Sequence, residues 1–195
     1  MSEQTKAELF YAYRDHVDCP VELEVIMRLQ SVKRWHMIDT TRQQTLAEHS
    51  ANVALLAGYI ATTSPGLYFG HFTEVAAVAL MHDLDEVFIG DIPTHTKRAS
   101  PKLFDELKRL GREVLPSSMQ PDPGERTRMM IKCADLADGI RFIRLHGMGV
   151  TARHAREGLD KQFNIMFGKM QEAGIPNDVI AHVRHNCITY AYEQS

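Results

Sequence analysis

The stretch Thr73–Val87, TEVAAVALMHDLDEV, constrains the fold of this chain more than any other. Its first half, with Val75, Ala76, Val78, Ala79 and Leu80, is apolar on nearly every side, so as a helix it has almost no solvent face and is expected to be central. Its second half then carries His82, Asp83 and Glu86. Ionisable groups delivered by an apolar element are costly unless they are paired or coordinated to a metal. The rest of the chain must therefore supply both an apolar jacket and partners for these charges.

The jacket reads as helical. Apolar residues recur at helical spacing through most of the sequence, and no alternating strand of useful length is present, so the expected class is an all-α helical bundle. Glu22 to Leu29 opens the series. Thr45-Leu46-Ala47-Glu48 is a capping box, its hydroxyl and carboxylate satisfying free backbone N–H groups at the start of a helix that runs to about Thr63 and stops at Ser64-Pro65-Gly66. Thr73 is expected to cap the next helix. GDIPTHTKRASP, from Gly90 to Pro101, reads as a connecting loop, followed by a surface helix from Lys102 to Leu115 and a loop from Pro116 to Gly124. A long helix from Thr127 to about Leu145 turns Met130, Ile131, Ala134, Leu136, Ile140 and Ile143 inward. Two more follow near 150–173 and 177–194, punctuated by Gly174 and Pro176. Without an internal repeat, a low-complexity tract or a long linker, residues 1–195 are expected to form one domain with a motif-bearing core over about 22–165.

Composition narrows the partners. A net charge of −3 lacks the basic field that a binder of long nucleic acid needs to displace counterions, so the expected partner is a small molecule and not a nucleic-acid polymer. Cys19, Cys133 and Cys187 are far apart and form no C-x-x-C pair, which argues against a disulfide framework or a thiolate zinc site and fits a reducing cytoplasm. The opening MSEQTKAELFYAYRDH carries charges where a signal peptide would need an apolar stretch, and no apolar run approaches the roughly 20 residues of a membrane span. No membrane partner is expected.

The chemistry concentrates in a few positions. His49, the pair His82-Asp83, and Asp135 lie on three different expected helices, so two imidazoles and two carboxylates can converge. Such a hard-to-borderline donor set suits one divalent transition metal, Co, Mn, Fe or Zn, with Mg also admissible. Asp138, three residues after Asp135, is a rival ligand ranked second. Glu86 lies four residues after His82 and three after Asp83; on a continuing helix it shares their face and is placed as general acid or base, with a surface carboxylate as the plain alternative. Asp91 reads equally as a turn residue or a functional one, and Trp35, the chain's single tryptophan, reads on composition as a core anchor.

Taken together, Arg34-Trp35, AEHS at Ala47 to Ser50, MHDLDEVFIGDIPT at Met81 to Thr94 and KCAD at Lys132 to Asp135 resemble the HD-domain 5′-deoxynucleotidases of the YfbR-like type and the related phage dATP triphosphohydrolases, in order and approximate spacing from about Met27 to Phe163. The resemblance implies a helical HD domain in which His49, His82, Asp83 and Asp135 hold one divalent metal while Glu86 assists the attacking water. It also implies that Arg34 meets the phosphate, Trp35 walls the sugar and base pocket against a 2′-hydroxyl, and Asp91 receives the deoxyribose 3′-hydroxyl, with Thr94 among the substrate-binding residues. Two-metal HD proteins carry extra histidines between the His-Asp pair and the last Asp. Here only His95 stands there, so one metal is expected. His146, His154, His182 and His185 read as surface or structural. Lys33, Arg34, Lys97, Arg98, Arg141 and Arg144 are candidates for a longer phosphate chain, although such clusters are usually solvated faces.

The expected activity is removal of the 5′-phosphate or triphosphate from a deoxynucleotide. The alternative is a non-catalytic helical nucleotide sensor with a structural metal. A homo-oligomer is expected, with the 177–194 helix or the Met-rich face of 165–170 as its apolar contact.

Overall fold

The computed structural model describes residues 21–63, 69–115 and 117–186. Both ends of the chain, including Cys19, Cys187 and the last part of the expected 177–194 helix, lie outside the described residues, as does the Ser64-Pro65-Gly66 stop.

Helix α1 (Val21–Arg28) leads into a two-stranded antiparallel ribbon, β1 (Lys33–Arg34) with β2 (Gln44–Thr45), which pairs Lys33 with Thr45 and Arg34 with Gln44. Helix α2 (Leu46–Thr63) starts directly after it. The Thr45 hydroxyl accepts the Glu48 N–H at 3.1 Å, so one half of the capping box forms. The other half does not, because the Glu48 carboxylate binds Arg42 through two bonds of 2.6 and 2.8 Å. A bidentate charged pair outweighs one backbone contact.

Helix α3 (Phe69–Leu80) corrects three expectations. Thr73 lies inside the helix and is no cap, because the helix extends back to carry Phe72, whose ring fills the space over Gly58 of α2. The helix also stops seven residues short of Val87. At its end the carbonyl of Ala79 accepts from both the His82 ring Nδ1 at 2.6 Å and the His82 backbone N–H at 3.4 Å, a tighter turn than that of an α-helix. Residues 81–85 form a turn, and a single short helix α4 (Glu86–Ile89) follows. Nor is α3 central. Val75 and Ala79 are buried, but Leu80 is 47% exposed.

The expected loop between Gly90 and Pro101 contains a helix, α5 (Thr94–Ala99), and α6 (Pro101–Val114) begins at the proline. Here Pro93, Ser100 and Pro101 mark helix ends, since proline is well placed at the first turn, and they do not abolish the turn between them. A 3₁₀ turn at Ser117–Met119 precedes α7 (Glu125–His146), α8 (Gly149–Glu172) and α9 (Asn177–Arg184). Gly174, at φ 72°, makes the left-handed turn between α8 and α9 that a side chain would oppose.

The centre of the fold is α2 crossed with α7. All six residues expected to point inward from α7 are buried, together with Cys133, Ala137 and Gly139, so this helix is covered on most sides. Val53, Ala57, Ile60 and Ala61 of α2 meet Met130, Ala134, Ala137 and Ile140 of α7 in one apolar cluster, closed by Phe163 and Met170 of α8 and Ile180 and Val183 of α9. Alanine at so many contacts lets the helix backbones approach closely. A smaller cluster of Leu46, Leu84, Val87 and Leu115 anchors the turn after α3. The polar end of that turn is thereby held against α2 and α7. Among the described residues no helix is long and apolar enough to cross a membrane.

Candidate metal centre

His49 projects from the first turn of α2, His82 and Asp83 from the turn after α3, and Asp135 from the middle of α7. The structure brings them together. His49 Nε2 lies 3.4 Å from Asp135 Oδ1 and 3.6 Å from Asp83 Oδ2, and His82 Nε2 lies 3.0 Å from Asp83 Oδ2. One atom each from His49, His82 and Asp83 fall within 4.8 Å of one another.

Both imidazoles are oriented by the nitrogen that faces away from this group. His49, wholly buried, donates from Nδ1 to Asp138 Oδ2 at 2.7 Å, and His82 donates from Nδ1 to the Ala79 carbonyl. The inward Nε2 atoms are buried and have no aligned hydrogen-bond partner among the described residues, although carboxylate oxygens lie close. Two buried, unpartnered ring nitrogens are costly on their own. A cation between them answers that cost, and ligand atoms about 2.1 Å from a common ion would stand about 3.0–3.4 Å apart, close to the observed spacings. The residues therefore fit a divalent metal. Asp138, ranked as a rival ligand, instead orients the His49 ring from behind, an arrangement typical of metal-binding histidines.

The charges agree with this fit. Burial opposes a charge on His49, as does nearby Arg34, yet Asp135, Asp138 and Asp83 together push its imidazole up to about 10. The carboxylates thus call for positive charge at this point. Burial likewise works against ionisation of Asp83 and Asp135, but His82 and His49 beside the first, and Lys132 and His49 beside the second, hold both well below the usual carboxylate range. Lys132 reaches Asp135 Oδ2 at 2.6 Å, and Arg34 lies 3.4 Å from Asp83 and 3.8 Å from Asp135.

Glu86 behaves differently. It is only 6% exposed, and burial, with Asp83 and Asp91 adding repulsion, raises its carboxyl to about 8 despite Lys97 and Arg34. Lys97 donates to Oε1 at 3.2 Å while Oε2 is buried without a partner among the described residues. The expected continuous helix face shared with His82 does not exist, but the turn and α4 bring Glu86 to the same cleft by another path.

That cleft, of about 1500 Å³, is lined by Arg34, Trp35, His82, Asp83, Glu86, Asp91, Thr94, Lys97 and Asp135 among others. Of the metal and substrate residues that the family resemblance implies, all but the buried His49 line it. Trp35 stacks on Phe142 with ring centroids 6.3 Å apart and nearly parallel planes, so it is at once packed and facing the cleft. Its backbone is at φ 63°, a left-handed conformation that a bulky residue adopts only when its surroundings impose it. The Trp35 N–H donates to Asp91 Oδ2 at 3.3 Å, which shows that Asp91 also supports the ribbon. Arg98 and the exposed His154 line the cleft as well, whereas Lys33, Arg141 and Arg144 do not. His146 is bonded to Thr41 and Arg42 away from it. His95 belongs to α5, and its side chain lies outside the described residues.

Sequence reasoning missed Gln44 and Asn52, which donate at 2.8 Å to Asp138 Oδ2 and Oδ1 respectively. Asn52 stands three residues after His49 on one helix face, a signal that spacing could have given. Gln44 carries no such signal.

The family model described as 5′-deoxynucleotidase YfbR-like matches residues 23–123. A dATP triphosphohydrolase of Salmonella phage PMBT28 is 36% identical over 148 residues, 71% of this chain and 74% of the phage protein. A 5′-deoxynucleotidase of Pasteurella multocida is 33% identical over 49% of this chain and 53% of its own, and one of Yersinia pestis is 31% identical over 50% and 54%. The match thus spans about half the length of those bacterial relatives. Among solved structures, a cyanophage S-2L HD phosphohydrolase bound to dA and one catalytic Zn2+ ion shares the fold, with a TM-score of 0.69, 24% identity, and coverage of 87% of this chain and 96% of that one.

Proposed function

This chain belongs to the 5′-deoxynucleotidase YfbR-like family, and from that premise we propose that it is a metal-dependent phosphohydrolase acting at the 5′-phosphate end of deoxyribonucleotides. The observation that carries the reading is the pair of imidazoles, His49 and His82, each fixed through Nδ1 and each with an Nε2 unpartnered among the described residues, that of His49 beside Asp83 and Asp135 and that of His82 beside Asp83. These four residues would hold one divalent cation. When bound, zinc, manganese or cobalt supplies Lewis acidity, polarising a phosphoryl oxygen and acidifying water enough for attack near neutral pH.

The other residues bind, orient and move protons. Arg34 grips phosphate oxygens with its guanidinium, whose buried Nε has no partner among the described residues and whose other nitrogens are steadied by Asp83 and Asp135. Glu86, with a carboxyl near neutral affinity for a proton, takes the proton of the attacking water at Oε2 and returns it to the leaving 5′-oxygen. Lys97 holds the opposite oxygen and fixes the direction of Oε2. Trp35 presents its indole to the sugar and leaves no room for a 2′-hydroxyl, and Asp91 and Thr94 receive the sugar edge. Water's oxygen joins phosphorus as the bond from phosphorus to the 5′-oxygen breaks. A monophosphate gives deoxynucleoside and phosphate; a triphosphate attacked at its α-phosphorus gives deoxynucleoside and intact triphosphate.

The test is to strip metal with a chelator, restore Zn, Mn, Co or Mg separately, and incubate ribo- and deoxynucleoside mono-, di- and triphosphates. Chromatography then resolves nucleoside, phosphate and triphosphate. Metal-dependent release of deoxynucleoside is expected. Nucleotide binding without release under every metal would overturn the reading in favour of a sensor.

A further inference from the structure

We propose that Gln44 is a positioning residue that ties the pocket wall, Trp35, to the metal-binding His49 through Asp138, so that the metal site and the sugar pocket are set together. The inference rests on the metal site and the sugar-facing role of Trp35 proposed above.

The observation is a continuous chain of hydrogen bonds that runs from the half-buried Trp35 into the protein interior. Trp35 donates from Nε1 to Gln44 Oε1 at 2.8 Å, Gln44 donates from Nε2 to Asp138 Oδ2 at 2.8 Å, and His49 donates from Nδ1 to the same Asp138 oxygen at 2.7 Å. Gln44 is 1% exposed, Asp138 3% and His49 0%, so no solvent competes between Gln44 and His49. The chemistry of the ends dictates the middle. An indole N–H can only donate and an ionised carboxylate can only accept, so a bridge between them must accept at one end and donate at the other. A primary amide of this length does both. Glutamate would set a second acceptor against Asp138, and an aliphatic side chain would take the partner from the Trp35 indole N–H and one of the three donors from Asp138. The same requirement fixes which way the Gln44 amide faces.

Backbone geometry couples the ends a second time. Gln44 pairs across the ribbon with Arg34, the neighbour of Trp35, and Arg34 in turn reaches Asp83 and Asp135. Trp35 is held at its unusual φ by the Asp91 contact on its N–H and by Gln44 on its indole. A cation at His49 Nε2 polarises the ring and strengthens the bond from Nδ1 to Asp138, which redistributes the charge that Gln44 feels. Trp35 receives that change at its Nε1. By linkage, a deoxynucleoside seated on Trp35 alters metal affinity by the same factor that the metal alters nucleoside affinity.

The chain contains one tryptophan, so its fluorescence reports Trp35 alone. Zinc, having a filled d shell and no redox chemistry, is the probe. Zinc titrated into chelator-treated protein is expected to shift the emission of Trp35 in step with binding followed by calorimetry. Gln44→Met should still bind zinc, about three- to tenfold more weakly, since it acts one bond beyond the partner of the histidine, but with the fluorescence response abolished. Asn52→Ala, which removes another Asp138 bond without touching the tryptophan side, should keep the response. An equal response in wild type and Gln44→Met, or none in wild type with zinc bound, overturns the relay while leaving the metal site standing. Absence of zinc binding to wild type overturns both. Should Gln44→Met fail to fold by circular dichroism, Trp35→Phe decides: it strands Gln44 Oε1, and zinc affinity unchanged within about twofold would refute the coupling.

Discussion

Replacing Glu86 by glutamine should stabilise the metal-free protein, and increasingly so as pH rises. Glu86 is 6% exposed, and burial together with the repulsion of Asp83 and Asp91 raises its carboxyl from the ordinary 4.5 to about 8. Between those values the folded chain holds a proton that the unfolded chain releases, so folding loses stability as pH rises. Below about 4.5 both states are protonated and there is no penalty; above about 8 both are ionised and the penalty is complete. At about 1.4 kcal/mol per pH step the full penalty is roughly 3–5 kcal/mol. Glutamine keeps the shape without the charge and removes it. His49, raised to about 10, loses its own stabilising contribution as pH rises from 6.5, but it does so in both proteins and cancels in the comparison. Urea denaturation in chelator at pH 5 and pH 9 reads the effect. With a urea dependence of roughly 2–3 kcal/mol per molar for a chain of this size, the Gln variant should lead wild type by about 1–2 M in midpoint at pH 9 and by little at pH 5. A midpoint difference independent of pH would refute the reasoning about Glu86.

Asp138→Asn should weaken zinc binding about 10–100-fold, measured by chelator competition, because it gives up the charged acceptor shared by His49, Gln44 and Asn52; unchanged affinity would mean that the His49 ring is oriented by other contacts. Gly58→Ala should destabilise the fold by about 1–3 kcal/mol, since a Cβ there meets the Phe72 ring at 2.7 Å. A thermal melt that rises in the alanine variant would show that the α2–α3 contact has room to spare. Arg34→Ala should raise KM for a deoxynucleotide at least about tenfold, as expected for a lost charge-assisted phosphate contact, and an unaltered KM would remove Arg34 from substrate binding.

The residues proposed to hold the metal stood out in the sequence because the chemistry of His82 and Asp83 contradicts their setting. His82 and Asp83 follow an apolar stretch, so each demanded a partner, and His49 and Asp135 stood on two other expected helices able to supply one. The long helices were equally legible: the inward stripe of α7 and the Thr45 cap of α2 are local signals, and both stand. What periodicity could not give was the break after Leu80. At that break the His82 ring bonds back to Ala79, a contact invisible in a pattern of apolar residues. The same blindness assigned α5 to a loop, since six residues between two prolines carry little periodic signal. Trp35 was weighed as either core anchor or pocket wall, and it is placed to be both, stacked on Phe142 at the edge of the cleft. Gln44 and its burial arise only from the tertiary meeting of the ribbon with α7, 94 residues away.

The central claim is that His49, His82, Asp83 and Asp135 form one metal site that enables hydrolysis of a deoxynucleotide. Its most direct test is turnover of a deoxynucleoside 5′-monophosphate and of the matching triphosphate, measured against zinc bound per chain in chelator-treated wild type and in Asp83→Ala. The account predicts product formation that rises in proportion to bound metal, levels off at one ion per chain, and is absent in Asp83→Ala. Hydrolysis in the metal-free protein, or undiminished hydrolysis in Asp83→Ala, would contradict it.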